Sequence, residues 1–356
     1  RELVVTPPAA IAMGDAFVVD VAWTGVPQPQ PEVSGILRPG WIVDDDGETH
    51  IIAEPNGASA IFPGNDHPTD KATFDLTVTV PAGTGVAANG VHTGTDPGPG
   101  GTEAWSFEVA DPMATYLLQV VTGNLRFTTS TGPEGLALRN AIDEDVPAGL
   151  LAPVDLVPDM IDLFDDSFGP YPFATYGVVV VDEDLGLALE NQTLSLFGLD
   201  SLDEAVMAHE LAHQWFGNDV GPGAWRDIWL NEGFATYAQW MWSEASGGPD
   251  IATLARRAAA QGERLAPPPA DPGVDDMFGL TVYLRGALTL HVLRDTMGDE
   301  AFFDLLRAWV GRYGGRTATT ADFEALASSM TTEGLAPLFD AWLHDPGLPA
   351  LDDWVP

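Results

Sequence analysis

The residues of this chain best placed to do chemistry are two histidines and a glutamate in the run His209-Glu210-Leu211-Ala212-His213. Histidines four positions apart stand one above the other on one helical face, so both imidazoles reach a single metal ion. Glu210, one step round the helix, can then address a water on that metal. A further ligand candidate follows after 18 intervening residues, Glu232 in Trp229-Leu230-Asn231-Glu232-Gly233-Phe234-Ala235. A helix, a turn and an antiparallel return of that length bring Glu232 back beside the histidines. Two imidazoles and one carboxylate leave a fourth position open, which is the catalytic form of a zinc site; a structural site is closed by a fourth side chain. The chain contains no cysteine, which excludes sulfur ligands, thiol catalysis and disulfides. Taken alone, the five-residue motif also fits a helix with two ordinary histidines and an exposed glutamate.

These side chains need helices to carry them. Ser201 and Glu204, three apart, predict a capping box that opens the first helix, and Gly217 can end it. A second helix is expected over 230–246, stopping at Gly247-Gly248, and 3.6-period segments follow at 251–265, 281–297, 300–313, 321–330 and 335–344. Residues 1–112 read differently. Alternating runs such as Phe17-Val18-Val19-Asp20-Val21-Ala22-Trp23 and Ala72-Thr73-Phe74-Asp75-Leu76-Thr77-Val78-Thr79-Val80 are separated by Pro/Gly clusters and predict strands. Asp44-Asp45-Asp46-Gly47 lacks the spacing of a calcium loop and reads as a solvated turn. Strand-like stretches at 116–122 and 176–181 lead into the helical half. The expected class is α+β: an antiparallel β domain over 1–112, then a mostly helical domain over 113–356.

The sequence resembles the M1 family of zinc metallopeptidases, the gluzincins that include aminopeptidase N and leukotriene A4 hydrolase. The resemblance rests on Val206-Met207-Ala208-His209-Glu210-Leu211-Ala212-His213-Gln214-Trp215-Phe216-Gly217-Asn218 and on the segment around Glu232. Ile61 to Phe74 is similar to the family's signature in its β domain, and Val282-Tyr283-Leu284-Arg285-Gly286 to its Tyr-x-Lys/Arg-Gly segment. The resemblance implies a thermolysin-like catalytic domain holding one zinc ion on His209, His213 and Glu232. It implies Glu210 as general base and Tyr283 as the donor to the oxyanion. Gly186-Leu187-Ala188-Leu189-Glu190-Asn191 is similar to the family's exopeptidase segment, which implies that Ala188 and Glu190 line the place where a substrate's free amine is held. Glu54 falls on the family's other amine-binding acidic position. Leu187 and Leu189 replace the usual Gly and Met, and Gln239 stands where the family commonly has an acidic residue.

Composition bounds the rest. Lys and Arg number 14 against 53 Asp and Glu, a formal charge of −39. Such a surface cannot neutralise phosphates or lie on anionic lipid, which excludes nucleic-acid and polybasic membrane binding. No apolar run approaches the 18 or so residues of a spanning helix. No signal peptide is visible over residues 1–8, and a secreted or cell-envelope location is expected with a cytoplasmic one left open. Against the resemblance, the β domain reads as cut short at its start, so a separate or removed segment would complete it, or the family's saddle is reduced. The expected activity is removal of N-terminal residues from peptides. Three alternatives stand beside it: a metalloendopeptidase, an epoxide hydrolase on the same zinc, and a non-catalytic zinc-containing peptide-binding module.

Overall fold

The fold was read from a computed structural model, which describes residues 3–26, 28, 30–31 and 38–355. The N-terminal part is built from strands β1 (Gly40–Val43), β2 (Thr49–Ile52), β3 (Ala72–Pro81), β4 (Gly85–Ala88), β5 (Val91–Pro97), β6 (Thr102–Met113) and β7 (Val120–Gly123). Asp44 closes the β1–β2 hairpin by accepting from the Asp46 and Glu48 amides, as a solvated Asx turn does. Two antiparallel sheets result, one in the order β1-β2-β7-β4 and one in the order β3-β6-β5. Strand β7 lies beyond residue 112 in the chain, yet its ladder runs to β2 and β4 of the first sheet. Buried Ile51, Val86, Phe107, Met113 and Leu117 fill a core of their own between these elements.

Residues 17–23 form no strand, contrary to the expectation from their alternation. Phe17, Val18 and Trp23 are exposed there. Alternation marks a half-buried surface only where a neighbouring ladder covers one face, and these residues pair with no strand among the described residues.

A six-stranded sheet follows, from β8 (Leu125–Thr131), β9 (Ala137–Asp143), β10 (Thr175–Tyr176), β11 (Val178–Val180), β12 (Ala188–Leu189) and β13 (Ser195–Phe197), with helix α1 (Val157–Phe168) between β9 and β10. Its path is β10-β9-β11-β13-β12, and β8 pairs with β9. The β9–β11 and β11–β13 pairs are parallel, and Val178, Val179 and Val180 are wholly buried, as parallel strands covered on both faces must be. Strand β12 closes one edge, antiparallel to β13.

The helical half contains α2 (Glu204–Ala212), α3 (Trp229–Ala245), α4 (Ile251–Ala259), α5 (Gly286–Met297), α6 (Asp299–Tyr313), α7 (Thr320–Ser329) and α8 (Ala336–Phe339), with a small parallel pair β14 (Val220–Pro222) and β15 (Arg316–Ala318). Thirteen of the 17 residues of α3 are buried, so it is the central helix around which the others pack. The α+β class is as expected, but α2 does not open on the predicted capping box. Asp203 is its N-cap, accepting from the Ala205 and Val206 amides at 2.8 and 2.9 Å. With the helix starting at Glu204, that glutamate sits too early to reach back, and it accepts instead from Trp242 Nε1 on α3 at 2.8 Å. Ser201 turns to Gly198. No helix among the described residues is long and apolar enough to cross a membrane.

Candidate active site

Helices α2 and α3 bring the three expected ligands together. His209 Nε2 lies 3.2 Å and His213 Nε2 3.5 Å from Glu232 Oε2. One donor atom from each falls within 4.8 Å of the others. The rings sit 4.8 Å apart at 79°, the view expected of two side chains one helical turn apart. His213 is fixed through Nδ1, 3.1 Å from the Phe216 carbonyl, which leaves Nε2 facing inward. Gln239, two turns beyond Glu232 on α3, lies near enough to His209 to favour its charged form.

Why the chain turns so tightly after His213 is visible at Gly217, whose φ is +122°. A Cβ there would meet the Asn231 amide at 3.0 Å. Asn231 in turn donates to the Tyr116 hydroxyl, which donates to the Gly217 carbonyl at 3.2 Å. Lys71, in the signature segment of the β part, donates to the Asn218 and Asp219 carbonyls at 2.7 and 2.8 Å. The end of the His-bearing segment is thereby tied to the N-terminal sheets.

A second triad shares Glu232. Single carboxylate oxygens of Glu54, Glu190 and Glu232 lie within 4.8 Å of one another, all three residues buried. Glu54 follows β2, and Glu190 follows the edge strand β12, so the two come from different sheets. What holds them is a web of buried amides. Gln119 forks onto both backbone groups of Ile51 and donates to Asn191 Oδ1. Asn89 donates to the Leu117 and Gln192 carbonyls. Gln214 and Asn218, just after the histidines, both donate to the Glu190 carbonyl. Asn191 is itself buried and hydrogen-bonded, so the Asn191-Gln192-Thr193 run is structural.

Four buried carboxylates in one place are electrostatically costly. Burial raises Glu54 and Glu210 well above the usual carboxylate range, with their carboxylate neighbours adding to it. Burial raises Glu190 also, partly offset by His213. Glu232 is the exception: burial opposes its ionisation, but His213 and hydrogen bonds from both histidines hold it at about 2. Burial would lower His213, but Glu232 and Glu190 prevail and lift it to about 10. Glu54 Oε1 and Glu190 Oε1 are buried without a hydrogen-bond partner among the described residues. Two imidazoles with a carboxylate suit a zinc-type cation, whose arrival would displace the proton on His213, and carboxyl oxygens lacking donors suit an ammonium, whose charge would favour their ionised form. The donor set therefore fits a metal ion at one triad and an amine at the other.

Tyr283 completes the site from a π-helical turn, Thr281–Arg285, that runs into α5. Its ring stacks on His209 at 6.0 Å and 23°. Burial and the surrounding glutamates keep its phenol protonated. Arg285 is wholly buried and forms no ion pair among the described residues; it donates to the carbonyls of Leu265, Ala266, Pro267, Ala341, Trp342 and Asp345. It locks the π-helical turn to the end of the 3-10 turn Gly262–Leu265 and to a second π-helical turn, Asp340–His344. Ala188, in β12, is half-buried beside Glu190.

Such a helix-borne His/His/Glu cluster beside a carboxylate pair and a tyrosine is the arrangement of a metallopeptidase of the gluzincin class. Residues 153–342 match the model of the peptidase family M1 domain and residues 35–117 that of the peptidase M1 N-terminal domain. The chain belongs to peptidase family M1. Aminopeptidase M1-C of Oryza sativa subsp. japonica is 28% identical over 86% of this chain, and aminopeptidase N of Lactococcus lactis subsp. lactis 29% identical over 95%. The chain spans 38% and 44% of those two proteins. A mutant M1 zinc metallopeptidase from Deinococcus radiodurans bound to a Tyr-Ser-Ala substrate is 33% identical with a TM-score of 0.86, covering 92% of this chain and 76% of that one. A two-domain M1 zinc metallopeptidase mutant bound to L-arginine is 34% identical with a TM-score of 0.85, over 91% and 76%.

Proposed function

We propose that this chain is a zinc-dependent aminopeptidase. The observation that carries this reading is the pair of triads sharing Glu232, one of two imidazoles and a carboxylate, the other of three carboxylates. A single Zn2+ held by His209, His213 and Glu232 would supply Lewis acidity, polarising the scissile carbonyl and making water acidic enough to lose a proton near neutral pH. Glu210, buried beside the ligands, would be returned to its carboxylate form by a cation among them, and would then take that proton and hand it to the departing amine. Tyr283, held protonated, donates to the oxygen on which negative charge develops. Glu190 and Glu54 receive the substrate's α-ammonium through charge-assisted hydrogen bonds, which fixes the distance from amine to scissile bond. Edge strand β12, with Ala188, offers an unpaired ladder edge along which a peptide backbone can lie.

The relatives support the substrate class, since one solved neighbour carries a tripeptide substrate and another an amino acid. Comparing hydrolysis of a free-amine peptide with its N-acetylated twin tests the reading. The acetylated peptide is expected to lose at least about 100-fold in kcat/KM, because the carboxylate pair is left without its cation. Equal cleavage of both would make the chain an endopeptidase.

A further inference from the structure

Away from the His209/His213/Glu232 cluster, a cavity of about 310 Å³ lies between the β5–β6 pair and the β8–β9 hairpin. That size is at the lower end of small-molecule sites. Strand alternation builds its walls. Trp105 and Phe107, two apart on β6, share a face, and His92 on β5 is the ladder partner of Phe107. Opposite them, the β8–β9 register sets Phe127 against Ala141 and Thr129 against Arg139, again two apart and on one face. The rings form a continuous surface, with Trp105 at 5.5 Å from Phe127 and 5.2 Å from His92. Phe127 is 44% exposed, which opens this wall to solvent.

One end of the cavity is cationic. Arg139 donates through Nη2 to the Ala88 and Gly90 carbonyls at 2.5 and 2.6 Å, and its guanidinium stands over Phe107 at 5.7 Å. Nη1 and Nε have no hydrogen-bond partner, and no carboxylate pairs with the group, among the described residues. No Asp or Glu lines the cavity, in a chain that has 53 of them. Arg139 is half-buried with its Nε fully buried, and a cation so placed without counter-charge is costly. Burial accordingly pushes this guanidinium down to about 10. An anion with an apolar body would relieve both features at once.

We propose that this cavity binds a small aromatic monocarboxylate, its ring against Trp105 and Phe127 and its carboxylate on Arg139 Nη1 and the Thr129 hydroxyl. A free amino acid is disfavoured because the lining holds no carboxylate to compensate an ammonium. Calorimetric titration of the full chain, with the metal centre filled by saturating leucine hydroxamate, reads this site independently of turnover. Phenylacetate is expected to bind at one site, at least about tenfold more tightly than phenylacetamide or L-phenylalanine, since only it brings an uncompensated charge to the guanidinium. Phe127→Ala and Trp105→Leu are each expected to weaken phenylacetate about three- to tenfold, the worth of one aromatic contact, with unchanged circular dichroism. Equal affinity for acid and amide, unaltered affinity in both variants, or no saturable heat would each overturn the assignment.

Discussion

Glu210 is the side chain at which metal retention and turnover come apart. It is buried beside His209 and His213 but is not one of the three clustered donors. Glu210→Gln keeps the shape and removes the base, so zinc content by atomic absorption is expected to stay at one per chain while kcat falls about 100-fold or more. Loss of metal along with activity would place Glu210 among the ligands. Glu48 gives a stability prediction away from the site. Burial, with the neighbouring Asp143, raises its carboxyl from 4.5 to about 7. The folded state thus holds its proton more firmly than the unfolded chain, and its contribution is full below pH 4.5 and lost as pH rises through about 7. Glu48→Gln cannot ionise, so its Tm relative to the parent is expected to climb between pH 5 and pH 8; a pH-independent difference would show that Glu48 is not strained. At this scale the motif residues were legible because helical spacing alone puts His209 and His213 on one face. The amide web was not. Gln119, set among Leu117, Leu118, Val120 and Val121, was a signal of a buried amide, but its partners lie 68 and 72 positions away.

At the scale of elements, the meeting of α3 with the π-helical turn and α5 decides where Glu232 and Tyr283 stand. Gly233 follows Glu232, Gly286 follows Arg285, and the two glycines touch. A Cβ on either would come within 2.8 Å of the other's Cα. Gly233→Ala gains about 1 kcal/mol in helix propensity, but overpacking against backbone costs about 1–3 kcal/mol, and the clash wins because nothing flexible can give way. A lowered Tm and an about 100-fold fall in kcat are expected, since a displacement near 1 Å at the reacting groups is enough for that. Turnover at the parent rate would mean the two helices are not in contact at these residues. The helices expected from period and punctuation are largely in place. Helix α1 lies outside those expectations, although Pro158 in its first turn, Gly169 after its end and apolar residues at 157, 160, 161, 164 and 168 mark it. Strands β8 and β9 carry no comparable signal, because seven-residue β8 has one exposed residue after another and gains its order from β9.

For the whole molecule, charge repulsion dominates outside the site. Of the few cations, Lys71 and Arg285 are spent on backbone carbonyls, and Arg139 gives one of its nitrogens to two. The short arginine–carboxylate pairs among the described residues are Arg126–Glu144, Arg294–Asp299 and Arg307–Asp304. Against a formal charge of −39 these leave most carboxylates facing one another through solvent. Screening shortens the reach of that repulsion from about 8 Å at physiological salt to about 3 Å at 1 M. Tm is therefore expected to rise between low salt and 1 M NaCl, and a flat or falling Tm would show that repulsion does not limit stability. The excess of carboxylates was legible from composition alone, as was the order of β part before helical part from the change in pattern along the chain.

The central claim is that His209, His213 and Glu232 converge on one cation with a corner left open for water and substrate. Crystals measured on both sides of the zinc absorption edge test it directly. The predicted result is one anomalous peak within coordination distance of His209 Nε2, His213 Nε2 and a Glu232 oxygen, with no fourth protein donor. Absence of a peak among these three side chains, or a fourth side chain filling the open corner, would contradict it.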